Sequence, residues 1–138
     1  MKILVSACLL GENCKYNGGN NYSEKVAAFV SGREVIPVCP ETLAGLGIPR
    51  IPIEIRGDRV ISQTGEDVTE KLQTAIAAIF AQIEGEDIEC AILKSRSPTC
   101  GVHQVYDGTF SGTLTDGAGV LAAALKAAGY KVIDAEDL

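Results

Sequence analysis

Residues 1–11, Met1-Lys2-Ile3-Leu4-Val5-Ser6-Ala7-Cys8-Leu9-Leu10-Gly11, hold an apolar run from Ile3 to Leu9 with no alternation of apolar and charged side chains. A strand wetted on one face alternates, and one covered on both faces does not. The run therefore predicts a strand inside a parallel sheet, with Cys8 near its carboxyl end. It is too short for the ~20 apolar residues a bilayer span needs, and no Ala-x-Ala cleavage site precedes the polar sequence at Glu12. The expectation is a cytoplasmic protein with no membrane partner.

Outward from this strand, Gly11 to Tyr22 is a polar, Gly- and Asn-rich loop, and Ser23 is placed to cap a short helix through Val26, Phe29 and Val30 to Gly32. Glu34 to Cys39 predicts a second strand, irregular at Pro37, again with a cysteine at its carboxyl end. Pro40 to Pro52 reads as a loop with one helical turn. Ile53 to Ile61 alternates around Gly57-Asp58, the pattern of a small hairpin ribbon outside the main sheet.

Val68, Leu72, Ala75, Ile76, Ile79, Phe80 and Ile83 share one helical face, so a helix is predicted from about Val68 to Ile83, with Asp67 and Glu70 spaced as a capping pair. Cys90 to Lys94 predicts a third buried strand and Ser95 to Gly101 the loop leaving it. Asp116 is read as the cap of a helix through Val120, Leu121, Ala124 and Leu125, which Gly129 stops before a fourth strand at Lys131–Ala135. Alternating strands and helices over 138 residues predict one α/β domain, 1–138, built on a mostly parallel, doubly wound sheet of Rossmann or flavodoxin type with a small β-hairpin ribbon. Ligands of such sheets bind beyond the carboxyl ends of the strands.

The apolar fraction of 46% and 15 glycines describe a globular chain with many tight turns, and the net charge of -6 argues against a protein that grips a nucleic-acid backbone. A small-molecule ligand fits better. The cysteines are Cys8, Cys14, Cys39, Cys90 and Cys100, an odd number in a chain expected to stay reduced, so a disulfide framework is not expected. Cys90, inside an apolar strand, reads as a small hydrophobe. Cys8, Cys39 and Cys100 lie at strand ends or in polar loops, where burial alone does not account for them. The fold can gather all three at one site, and Cys14 is left outside that set. The chain has no Cys-x-x-Cys knuckle of the kind structural zinc sites favour. Spacing alone leaves zinc, an iron-sulfur cluster and a bare reactive thiol open.

Several ordered motifs resemble one family. They are Ser6-Ala7-Cys8-Leu9-Leu10-Gly11, Lys15-Tyr16-Asn17-Gly18, Cys39-Pro40-Glu41, Gly45-Leu46 with Pro49-Arg50 and Pro52-x-Glu54-Ile55, and Leu93-Lys94-x-x-Ser97-Pro98-Thr99-Cys100-Gly101. Tyr106-Asp107-Gly108-x-Phe110 and Gly117-x-Gly119-Val120 extend the match over nearly the whole chain. Together they look like the thiouracil desulfidases, a family first catalogued as a domain of unknown function. The resemblance implies a 4Fe-4S cluster on Cys8, Cys39 and Cys100 with one open iron, Glu41 and Ser97 as catalytic residues, and removal of sulfur from a thiolated pyrimidine or its nucleotide without net redox change. The usual family pattern has Asp where this chain has Asn17, and Ser where it has Thr99.

Lys94, Ser95 and Arg96 form a cationic, hydroxyl-bearing cluster beside the expected site, suited to a nucleotide phosphate or to plain solvation. Tyr16 is placed to stack on a pyrimidine or to cover the core edge. Gly117-Ala118-Gly119 opens a helix, where close packing on the sheet is a better reason for glycine than anion binding. His103, the single histidine, reads as a surface or structural residue, and Glu84, Glu86, Asp87 and Glu89 as a solvated face. Two readings stay beside the enzyme: a non-catalytic cluster-binding module, and a metal-free enzyme with Cys39 or Cys100 as nucleophile.

Overall fold

The computed structural model describes residues 1–138. In chain order the elements are β1 (Lys2–Ser6), a 3-10 turn (Ala7–Leu10), α1 (Glu24–Val30), β2 (Glu34–Val38), α2 (Pro40–Leu43), β3 (Ile53–Arg56) and β4 (Arg59–Ser62). They continue with α3 (Thr69–Ile83), β5 (Ile88–Leu93), β6 (Gln104–Tyr106), β7 (Leu114–Asp116), α4 (Val120–Ala127), β8 (Val132–Asp134) and a closing 3-10 turn (Ala135–Asp137).

Ile3, Leu4 and Val5 have no exposed surface, because β1 is an interior strand of a four-stranded sheet in the order β2-β1-β5-β8. All its pairings are parallel. Leu4 faces a cluster with Ile79 and Ile83 of α3 and Leu121 and Leu125 of α4. Ile3 and Val5 face the other way, onto Val26 and Val30 of α1. The unbroken apolar run thus reflects helices on both faces, as expected of a parallel sheet. Pro37 is tolerated because β2 is an edge strand. The chain goes from β1 to β2 on one side and returns through β5 on the other, so strand order reverses at the β1/β5 junction.

Strands β3 and β4 form the expected antiparallel ribbon, which packs Ile53 and Val60 against Val68 and Leu72 at the start of α3. Ser23 caps α1 as read, its hydroxyl accepting from Val26 N at 3.2 Å. No helix is long and apolar enough to cross a membrane.

Four local expectations are corrected. The first strand stops at Ser6 rather than Leu9, and Cys8 sits in the 3-10 turn that follows, closed by Gly11 at φ 94°. Leu9 is buried in that turn against the α1 layer, so burial without strand geometry prolongs the apolar run. Strand β5 begins at Ile88, which puts Cys90 in mid-strand rather than at the amino end. Asp116 belongs to β7 and does not cap α4, whose cap is Gly119. Asp67 accepts from Thr69 N at 3.0 Å and from Arg59 Nε at 2.8 Å, while the α3 cap position is Val68 and no Glu70 bond completes a box. The β6–β7 hairpin has no apolar alternation to announce it: β7 is exposed throughout.

Candidate active site

Three segments leave the carboxyl ends of β1, β2 and β5 and meet around a cavity of about 590 Å³. The turn after β1 brings Cys8. The junction of β2 with α2 brings Cys39, because Pro40, with its fixed φ, starts the helix directly behind it. The loop after β5 brings Cys100. All three cysteines line the same cavity, as does Cys14, and every cysteine is a free thiol. Cys90 lies on the α1 side of the sheet, packed among Ile3, Val5 and Ile92.

The Cys100 loop is held by its own polar groups and by α4. Ser97 Oγ accepts from the amides of Thr99 (3.2 Å) and Cys100 (3.1 Å) and lies 3.1 Å from Thr99 Oγ1. Thr99 Oγ1 in turn donates to Cys100 Sγ at 3.7 Å. The first amides of α4 close the structure: Val120 N donates to Pro98 O at 3.0 Å, Leu121 N to Thr99 O at 2.8 Å and Gly119 N to Gly101 O at 2.7 Å. This uses the amides that an anion would need, so the glycines of 117–119 serve close approach. A Cβ on Gly119 would stand 2.4 Å from the carbonyl carbon of Thr99.

Around Cys39, Thr42 Oγ1 donates to Sγ at 3.1 Å. Cys8 is flanked by Asn21 and Lys94. Burial pushes the Cys8 thiol up, and pushes Cys100 to about 12 against the hydrogen bonds of Ser6 and Thr99. Burial, then the neighbouring Cys39, takes Cys14 to about 12 as well. For Cys100 this is the opposite of the lowered thiol that marks a metal-free nucleophile. A soft metal that displaces the protons reverses that balance. No three Cys, His or carboxylate groups close on a point where one ion would sit.

Glu41, in the first turn of α2, lines the cavity beside Cys39. Its carboxylate is 3.4 Å from Arg50 Nη2, and the side chains are 17% and 5% exposed, so this is a sheltered pair rather than a surface one. Burial raises Glu41 above the ordinary carboxylate range, and the Arg50 charge and hydrogen bond partly offset the rise. Arg50 is fixed by Cys14 O at 2.8 Å and Gly47 O at 3.0 Å. Sequence reasoning did not single it out; its only signal was its place in the Pro49-Arg50 motif.

Tyr16, Lys94 and Ser95 also reach the cavity. Lys94 Nζ donates to Ser95 O at 3.0 Å and to Ser95 Oγ at 3.4 Å, and burial, then Arg96, lowers the ammonium below its ordinary value. Arg96 instead forms a bidentate pair with Glu136 at 2.9 and 2.6 Å, which holds that carboxylate at about 2. Both cations of the cluster read from sequence line the cavity, Arg96 with its charge paired to Glu136 and Lys94 with no carboxylate partner. His103 is on the surface, paired with Asp137 at 2.7 Å.

Comparison with known proteins places this geometry. A family model described as 2-thiouracil desulfurase matches residues 3–137. An uncharacterized protein, YbbK, of Bacillus subtilis (strain 168) is 41% identical over 146 residues, covering 99% of this chain and 97% of that one. The solved structure of the [4Fe-4S]-dependent thiouracil desulfidase TudS superposes with a TM-score of 0.92 at 34% identity, covering 99% of this chain and 92% of that one.

Proposed function

The chain belongs to the 2-thiouracil desulfurase family, and from that premise we propose that it removes sulfur from thiouracil-type compounds with a 4Fe-4S cluster held by Cys8, Cys39 and Cys100. The substrates are 2- or 4-thiouracil or, at the nucleotide level, 4-thiouridine monophosphate. The supporting observation is the convergence of three thiols, from three adjacent parallel strands, on one cavity that also holds a sheltered carboxylate. The donor set fits the group: three soft thiolates with no disulfide partner, and no histidine among the lining residues.

When bound, such a cluster supplies an iron without a protein ligand, a thiophilic Lewis acid that polarises a thiocarbonyl. The protein's own residues do the rest. Glu41, sheltered beside Arg50 at the cavity wall, takes a proton from a water directed at the ring carbon. Arg50 holds that carboxylate in place and favours its charged form. Water supplies the oxygen, the ring keeps it as a carbonyl, and sulfur leaves as hydrogen sulfide, with no electrons gained or lost. Ser97 shapes the Cys100 loop through two amides and presents its hydroxyl at the cavity wall. Lys94 offsets negative charge beside Cys8 and is the cation for a nucleotide phosphate, with Ser95 bonded to it and Tyr16 elsewhere on the cavity lining.

The test is anaerobic purification and reconstitution, with iron, acid-labile sulfide and sulfide release measured together. Wild type is expected to be brown and to release sulfide from a thiouracil or its nucleotide. Cys8→Ser, Cys39→Ser and Cys100→Ser should each lose iron and turnover, while Cys90→Ala keeps both. Glu41→Gln should keep iron and lose rate. Colourless, iron-free wild type sinks the proposal. Turnover after complete iron removal would favour a thiol nucleophile, and bound iron without sulfide release a non-catalytic module.

A further inference from the structure

Glu54 enters the cavity from β3, on the ribbon, rather than from the sheet, and is only 9% exposed. Its Oε1 accepts from two amides of the β6–β7 loop, Gly108 N at 2.9 Å and Phe110 N at 3.2 Å. No protein group bonds its other oxygen, and the protein leaves no fully buried side-chain oxygen unpaired. Oε2 is therefore open to the cavity that Glu54 lines.

The same loop is held in a costly shape. Phe110 has φ 56°, a left-handed conformation that a bulky residue rarely adopts without a reason. Gly108 has φ 91°, and a Cβ there would stand 2.7 Å from Ile55 O. Arg56 takes Gly108 O at 2.6 Å, and its guanidinium lies 5.7 Å from the centre of the Phe110 ring. Two side chains of the ribbon thus fasten one aromatic at the cavity wall. Phe110 belongs to none of the three apolar clusters of the core, so packing does not account for the strain.

We propose that Glu54 and Phe110 form the recognition site for the pyrimidine ring, Phe110 covering one ring face and Glu54 Oε2 accepting the ring N3–H. This deepens the desulfidase reading and rests on it for the identity of the ring. N3–H is the one ring N–H that a uracil keeps when N1 carries a sugar, so the contact serves bases and nucleotides alike. An acceptor with no protein partner also excludes: a ring methylated at N3 cannot satisfy it and meets it sterically.

The test compares wild type, Glu54→Gln, Phe110→Ala and Phe110→Tyr after anaerobic reconstitution. The readouts are kcat and KM on 2-thiouracil and 3-methyl-2-thiouracil, equilibrium binding of uracil, iron per chain and melting temperature. Glutamine can still accept from both loop amides, but it turns an N–H₂ donor toward the ring. Glu54→Gln should therefore keep iron and fold while KM and the uracil Kd rise roughly tenfold. Phe110→Ala should raise both by roughly tenfold, and Phe110→Tyr should stay near wild type. Wild type should discriminate against the 3-methyl substrate at least about tenfold, and Glu54→Gln should lose most of that discrimination. If Phe110→Ala does not fold, Glu54→Gln and the 3-methyl comparison decide.

Wild type that releases sulfide while the variants keep its KM and uracil Kd, or wild type that accepts the 3-methyl ring equally, overturns this proposal alone. Wild type that binds uracil through these residues but releases no sulfide overturns the reaction and leaves the recognition site standing. Wild type with neither property overturns both.

Discussion

Gly119→Ala is a sharp test of how the Cys100 loop is built. Gly119 has φ -63° and ψ 160°, a backbone that alanine adopts freely. In open space the change would stabilise the protein by about 0.4–1 kcal/mol through the unfolded chain. The new Cβ, however, would stand 2.4 Å from Thr99 C, 2.6 Å from Thr99 O and 2.7 Å from Cys100 N. Carbon atoms rest at about 3.5–4.0 Å, so one backbone must retreat by about 1 Å, and no side-chain rotamer can absorb the shift. The retreat stretches the bonds from Gly119, Leu121 and Ala122 to the carbonyls of Gly101 and Thr99, now 2.7, 2.8 and 3.2 Å. Overpacking of about 1–3 kcal/mol, with a weakened hydrogen bond or two at about 1 kcal/mol each, outweighs the entropic gain and leaves a net loss of about 2–3 kcal/mol. For a chain of this length that is a fall in melting temperature of about 6–10 °C. The assay is circular-dichroism melting of the metal-free protein, with iron per chain after reconstitution as a second readout, expected to fall because Cys100 moves with its loop. An unchanged or raised melting temperature would refute the close-approach argument.

Two more outcomes follow from the same site. Cys14 and Cys100 titrate near 12 in the folded protein against an ordinary 9.0, so the unfolded chain releases those protons first and the metal-free protein should lose stability as pH rises from about 9 toward 12; urea unfolding at pH 8 and pH 10 should show a larger drop for wild type than for the Cys14→Ala/Cys100→Ala variant, and equal drops would contradict the burial argument. Ser97→Ala leaves the Thr99 and Cys100 amides without their acceptor, which should cost about 1–2 kcal/mol, seen as a melting temperature lower by about 3–6 °C, together with reduced iron loading; loss of turnover with both of these intact would mean that Ser97 acts in the reaction alone.

The parts of the fold legible in the sequence are those where burial imposes a period. The unbroken Ile3–Val5 run announced a strand covered on both faces, and the spacing of Leu72, Ala75, Ile79 and Ile83 announced α3. The gathering of Cys8, Cys39 and Cys100 was legible for a topological reason, since consecutive strands of a parallel sheet deliver their carboxyl ends to one edge. What was misread lay where burial and geometry part company. Leu9 is buried in a turn, so the strand looked three residues too long. The β6–β7 hairpin has one buried strand residue, Val105, and its loop is tied to the ribbon by hydrogen bonds, which leave no hydrophobic pattern.

By itself, then, the sequence determined the layered α/β plan, the separation of Cys90 from the other thiols and the edge of the sheet at which Cys8, Cys39 and Cys100 gather, because these follow from periodicity and strand order. Tertiary structure alone decided the rest. Arg50 meets Glu41 from nine residues away, Arg96 is taken by Glu136 from 40 residues away, and Glu54 reaches Phe110 from 56 residues away. Which partner a charged side chain finds depends on where two distant backbones come to rest, and no local pattern encodes that distance.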